Sequence, residues 1–214
     1  TNVAVLEGPG TLASNGLVYT YHYGGQVQLF LGGGVTWDNA GTVNQQGAIE
    51  FGAGTADAAT LVNEAGATYD LSSGDSQIYN NGTGTYNFVN AGLLQMIGGS
   101  TDNIHVPLDN TGVVSADNGN FYLTGSVTST GTLQADQGNL YVAGGTISGV
   151  VQNISSNGAN VYLYGTYAVA GIDDVTFGGV VLGAGGSSIA VLDGLGTLVS
   201  TGYVYTFQYG GQVE

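Results

Sequence analysis

The sequence predicts an all-β chain wound as a parallel β-solenoid (β-helix), and three observations lead there. Residues 3–28, VAVLEGPGTLASNGLVYTYHYGGQVQ, return as residues 189–214, IAVLDGLGTLVSTGYVYTFQYGGQVE, with 17 of 26 positions identical at an offset of 186. A shorter repeat lies inside the long one. Residues 111–127 and 130–146 share 8 of 17 positions at an offset of 19, among them Gly112/Gly131, Asp117/Asp136, Asn120/Asn139 and Tyr122/Tyr141. Finally, no stretch carries the 3.6-residue period and caps of a helix, whereas short runs rich in Val, Leu, Ile, Tyr and Thr alternate in polarity between glycine-bearing corners.

A cassette of about 20 residues cannot bury its own apolar face, but cassettes stacked at about 4.8 Å can. On that spacing the 214 residues make one continuous solenoid segment of about ten coils, each of roughly 19–25 residues. An antiparallel sandwich or barrel is the competing architecture, since glycine-rich turns at short spacing suit it too. The in-register identities at an offset of 19 favour the solenoid.

In chain order, Gly10-Thr11-Leu12 leads to Asn15-Gly16 and LVYTY, and Gly41-Thr42-Val43 leads to Gly47 and AIEF. Asn90-Ala91-Gly92-Leu93-Leu94 and Ser156-Asn157-Gly158 before NVYLY are variants, and Gly196-Thr197-Leu198 leads to Gly202 and YVYTF. Each cassette reads as two strands split by a corner, with Asn-Gly and its relatives supplying positive φ there. Between residues 52 and 110 the spacing loosens, and the runs Leu71–Ser76 and Gly98–Asn103 read as loops or bulges.

Composition narrows the function classes. The chain has no Lys or Arg against 15 Asp and Glu, 40 Gly and no Cys. Without a basic side chain it has nothing to neutralise phosphates, which excludes a nucleic-acid partner. A polybasic membrane patch is excluded for the same reason, and no run of 18 apolar residues calls for membrane insertion. Disulfides and cysteine-based zinc sites cannot form. Trypsin-like proteases find no cleavage site, which favours an extracellular life. Thr1 opens without a charged or apolar leader, so an export signal is expected outside these residues.

The G-T-[LV] lead, the Asn-Gly corner, the low Lys/Arg content and the long tandem period resemble the repeat regions of large bacterial secreted adhesins. These are the filamentous-haemagglutinin-like and autotransporter-passenger β-helices. The resemblance implies an extracellular or cell-surface fibre with an adhesive, spacer or scaffolding role. Its partners would be neighbouring repeats of the same polymer, glycans or cell-surface components. The complete lack of basic residues and the offset of 186 depart from that pattern and point to a giant array.

Candidate sites are few. Tyr19, Tyr21 and Tyr23 share one face of a strand, and Tyr203, Tyr205, Phe207 and Tyr209 repeat them. Such a stripe stacks sugar rings if it is exposed, or ladders with neighbouring coils if it is not. A carbohydrate-binding or glycan-cleaving β-helix of tailspike type is therefore the alternative function. His22 is replaced by Gln208 in the second copy, and His105 has no second histidine at ligand spacing. Asp117 with Asp136, and Asp173 with Asp174, are the acid pairs. Glycoside hydrolysis needs two carboxyls about 5–9 Å apart, but the basic residues and most of the Trp that usually support a sugar site are missing. The expectation is a non-enzymatic protein with no cofactor, calcium being the one ion whose taste for Asp and carbonyl oxygens fits these acids. Stacking should set Asp117 near Asp136, raising carboxyl pKa values and making the fold more stable toward acid.

Overall fold

A computed structural model describes residues 3–21, 27–52, 57–155, 157–169, 175–183, 189–194, 196–206 and 212–213. Within them the chain forms 29 strands and no helix, arranged as three parallel sheets of 10, 10 and 9 strands. Each coil contributes one strand to each sheet in turn, as a β-solenoid does. Coils therefore hold three strands, not two. The third is easily missed in the sequence because it is short: Leu108–Asn110, Val127–Ser129 and Gly145–Ile147 are three residues each.

The first sheet opens with Ala4–Glu7 and Val27–Gly32 and runs through Thr101–Ile104, Asn120–Leu123, Asn139–Val142, Val161–Leu163 and Val180–Leu182 to Val204–Thr206. The second runs from Thr11–Ser14 through Val35–Asn39, Ala58–Asn63 and Thr85–Asn90 to Ile189–Asp193 and Gln212–Val213. The third runs from Leu17–Thr20 through Thr42–Gln45, Thr68–Leu71, Leu93–Met96, Val113–Ala116, Thr132–Ala135 and Val150–Asn153 to Val175–Gly178 and Leu198–Ser200.

Parallel pairing stacks like positions on like. Val113–Ala116 pairs in register with Thr132–Ala135, 19 residues on, which is the short repeat of the sequence. Strand alternation then sends every second side chain inward. Val43, Tyr69, Leu94, Val114, Leu133 and Val151 form one buried column, and Phe121, Leu140, Val161 and Val180 another.

The corner between the second and third sheets carries a column of buried side-chain amides. Asn39 Nδ2 donates to Asn63 Oδ1 (2.9 Å), Asn63 to Asn90 (2.8 Å), Asn90 to Asn110 (2.8 Å) and Asn110 to Ser129 Oγ (3.0 Å). Ser14 Oγ heads the column by donating to Asn39 Oδ1, and itself accepts from Trp37 Nε1. Each amide also donates to a carbonyl one coil on: Asn39 to Thr68, Asn63 to Leu93, Asn90 to Val113 and Asn110 to Thr132. An amide is both donor and acceptor, so it can repeat without end in such a stack.

Two residues after Ser14, Asn39, Asn90, Asn110 and Ser129 comes the corner glycine, whereas Asn63 is followed by Glu64-Ala65-Gly66. A Cβ on Gly41, Gly92, Gly112 or Gly131 would lie 2.1–2.3 Å from the preceding coil's backbone oxygen. None of these glycines has positive φ. The expected reason for glycine at this corner is thus corrected: it is the close approach of the next coil. Elsewhere positive φ does decide, as at Gly119 and Gly158, which follow Asn118 and Asn157.

The irregular region is also part stack and part loop. Of the run Leu71–Ser76 expected as loop, residues 72–76 leave the stack while Leu71 ends the strand Thr68–Leu71. Of the run Gly98–Asn103 expected as loop, Thr101, Asp102 and Asn103 belong to the strand Thr101–Ile104, paired to Asn120–Leu123. The stacking partner decides what local composition could not.

Asn90→Ala is expected to destabilise the fold by about 2–4 kcal/mol, because Asn63 and Asn110 each lose a buried partner. Gly112→Ala is expected to cost at least as much, since backbone must move. Urea unfolding checks both, with the outward-facing Gln95→Ala expected to change little.

Candidate functional site

Outside the core the stacking builds columns of polar and aromatic side chains. On the first sheet Tyr122, Tyr141 and Tyr162 lie over one another, their rings 4.3 and 4.6 Å apart and within 9° of parallel. Burial, with the neighbouring Tyr122 and Tyr162 phenols, pushes the Tyr141 hydroxyl up to about 12. On the same sheet Tyr79 stacks on His105 at 5.2 Å, and Thr124 Oγ1 lies 2.8 Å from His105 Nδ1. Desolvation lowers the His105 pKa, so the ring stays neutral at physiological pH.

The third sheet carries an amide-rich column outside: Tyr19, Asn44, Asp70, Gln95, Ser115, Gln134 and Gln152 follow one another in register. Gln95 donates to Asp70 (2.7 Å), Gln134 to Ser115 (3.2 Å) and Gln152 to Gln134 (3.2 Å). Tyr19 therefore does not ladder with tyrosines of the next coil. Its ring stacks on Tyr21 at 5.9 Å, and Tyr203 sits 4.8 Å from Tyr205. All four are exposed, at 48, 68, 43 and 58% respectively. Tyr203 also accepts from Asn153 Nδ2, and Tyr205 lies over Val181, which lies over Tyr162. Tyr23, Phe207, Tyr209 and His22 lie outside the described residues. Trp37, the chain's one tryptophan, is buried in the core, so it cannot serve a sugar.

Asp117 and Asp136 occupy successive coils at the end of paired strands, as the repeat predicts. Ser115 donates to Asp117. Asp173 and Asp174 lie outside the described residues. Among the described residues no three His, Cys, Asp or Glu side chains converge on a point that would hold a metal ion.

The acid that departs furthest from ordinary behaviour is one that sequence reasoning passed over. Asp102 points into the core, fully buried, where the next coil has Phe121. Its Oδ1 accepts from the Ser76 amide (3.0 Å), and its Oδ2 has no hydrogen-bond partner among the described residues. Around it runs a buried polar cluster: Ser76 Oγ donates to the Gln45 carbonyl, and Tyr69 donates to Gln45 Oε1. Desolvation, offset in part by the Ser76 amide and reinforced by Asp75, pushes Asp102 up to about 7. Asp70 is raised as well, by desolvation and by the charge of Asp117.

The buried asparagine column escaped the sequence reading too. A signal existed: Asn39, Asn90 and Asn110 stand two residues before Gly41, Gly92 and Gly112, as Ser14 and Ser129 stand before Gly16 and Gly131. What the outer surface offers is repeated hydrogen-bonding and aromatic edges. Comparison with protein-family models, curated proteins and solved structures finds no match to this chain.

The buried acid sets a pH dependence. A carboxyl near 3.9 when unfolded and near 7 when folded favours the fold while protonated. That stability is full below pH 4 and is lost as pH rises through 7. The melting temperature is expected to fall between pH 5 and pH 8. Asp102→Asn should melt higher than the parent at pH 8 and show a flatter profile over that range, measured by circular dichroism.

Proposed function

We propose that the chain is a structural segment of a long repetitive β-solenoid fibre, serving as spacer, matrix or adhesin stalk outside the cell. One observation carries the reading: residues 3–28 return as residues 189–214 with 17 of 26 positions identical, the sign of a long tandem period. Val5, Leu12, Leu17, Tyr19 and Tyr21 are exposed in the first coil, and Leu198, Val199, Tyr203, Val204 and Tyr205 in the last. Among the described residues between them, only Ile97 and Ile154 are large hydrophobics exposed to that degree. At the first coil the apolar interior opens as a mouth of about 390 Å³ lined by Leu6, Leu12, Val18, Tyr19, Leu29 and Trp37. In the isolated chain, such open parallel sheets present unpaired backbone and an apolar cross-section, which templates association.

The resemblance to secreted adhesin repeats supports the same reading. Sugar stacking is less well supported, because the rings of Tyr122, Tyr141 and Tyr162 spend their faces on one another.

In the natural polypeptide the sequence after Glu214 is expected to resemble residues 29 onward, beginning near LFLGGGVTW. Unrelated sequence there would reduce the array to an internal duplication. The isolated 214-residue chain is expected to associate end to end, seen in analytical ultracentrifugation as mass rising with concentration. A clean monomer at high concentration counts against the fibre.

A further inference from the structure

The two copies of the long repeat do not occupy equivalent places in the stack. Ala4–Glu7 lies in the first sheet, but its counterpart Ile189–Asp193 lies in the second. Thr11–Ser14 lies in the second, and Leu198–Ser200 in the third. Leu17–Thr20 lies in the third, and Val204–Thr206 in the first. Val27–Gly32 lies in the first, and Gln212–Val213 in the second. All four strands are displaced by one sheet, in the same direction. From Ala4–Glu7 to Val180–Leu182 the first sheet advances eight coils, and Ile189–Asp193 is the next strand after that. The repeat is thus eight coils and one strand long.

We propose that consecutive copies of this repeat join with a one-third turn about the fibre axis. The open last coil receives the following copy in this advanced register. A feature borne once per copy, such as the Tyr122–Tyr141–Tyr162 ladder, then appears on each of the three faces in succession. Its occurrences are spaced by about 40 Å along the axis, at about 4.8 Å per coil, and the pattern closes after three copies. A fibre with a whole number of coils per repeat would line its tyrosines along one side. This one turns the same ladder toward three directions in succession.

The geometry allows the displacement because the cassette is not tied to one corner. Gly10-Thr11-Leu12 turns from the first sheet into the second. Gly196-Thr197-Leu198 turns from the second into the third, as Gly41-Thr42-Val43 and Gly131-Thr132-Leu133 do. All three inner faces are apolar, so any of them accepts an alternating strand.

The inference rests on the tandem-fibre reading for its consequence, but its geometry is testable in the 214-residue chain itself. In the displaced arrangement Tyr205 pairs with Val181 on the first sheet. In an undisplaced one Tyr205, the counterpart of Tyr19, would continue the column of Tyr19, whose later members are Gln152 and Gly178. Paired parallel strands lie close enough for a disulfide, which needs a Cα separation of about 4.4–6.8 Å. The chain has no cysteine of its own. A side chain at Gly178 meets no atom nearer than 3.4 Å and the backbone there needs no positive φ, so both pairs are tolerable.

Val181→Cys/Tyr205→Cys and Gly178→Cys/Tyr205→Cys chains would be oxidised at low concentration, with circular dichroism confirming the fold and intact mass reporting the bond. An intramolecular disulfide in the first and not in the second is the result expected. A disulfide in the second, in both or in neither overturns the one-third turn. Unrelated sequence after residue 214 would instead end the array while leaving this result as it stands.

Discussion

Every feature of this molecule follows from one constraint: each coil sits on the last at the spacing of paired strands, so a residue's nearest neighbour is its own counterpart one coil away. Such a stack tolerates only side chains that pack well against themselves. Leu, Val, Ile and Phe satisfy that by dispersion, Tyr by ring stacking and Asn by being donor and acceptor at once. Charge does not, since two like charges at about 5 Å repel by about 1 kcal/mol even in water. The chain is 7% charged, and wholly without Lys or Arg, which is the composition this rule asks for in a stack that repeats itself many times.

The exceptions mark where the repeat is interrupted. Asp102 replaces an apolar member of an inward column at the point where residues 72–76 bulge away and leave the Ser76 amide pointing inward. The loop and the buried acid are joined at one donor: the Ser76 amide bonds both the Ser73 carbonyl within the loop and Asp102 Oδ1, while Asp102 Oδ2 has no hydrogen-bond partner among the described residues. The result is a local sensitivity to pH inside an otherwise uniform structure.

Much of this was legible in the sequence. The offset of 19 between residues 111–127 and 130–146 is the coil length observed there, and Asp117 over Asp136 and Tyr122 over Tyr141 follow from it. What stayed hidden depends on the direction of approach of other coils. The three-residue strands such as Val127–Ser129 are too short to show alternation. Thr101–Ile104 has a loop's composition and becomes a strand only because Asn120–Leu123 lies beside it. The corner glycines looked like turn residues, whereas the carbonyl beneath them is what excludes a side chain. Tyr19 and Tyr21 looked like members of a ladder between coils, but register sets Tyr19 against Asn44.

The central claim is that self-pairing columns hold the coils in register, with Asn39, Asn63, Asn90 and Asn110 as the polar spine. Hydrogen exchange of the side-chain amides, read residue by residue by nuclear magnetic resonance, tests it most directly. The account predicts that these four NH₂ groups exchange as slowly as the backbone amides of the central strands, while Gln95 and Gln152 on the outer face exchange far faster. Asparagine side chains that exchange as fast as the outer glutamines would contradict it.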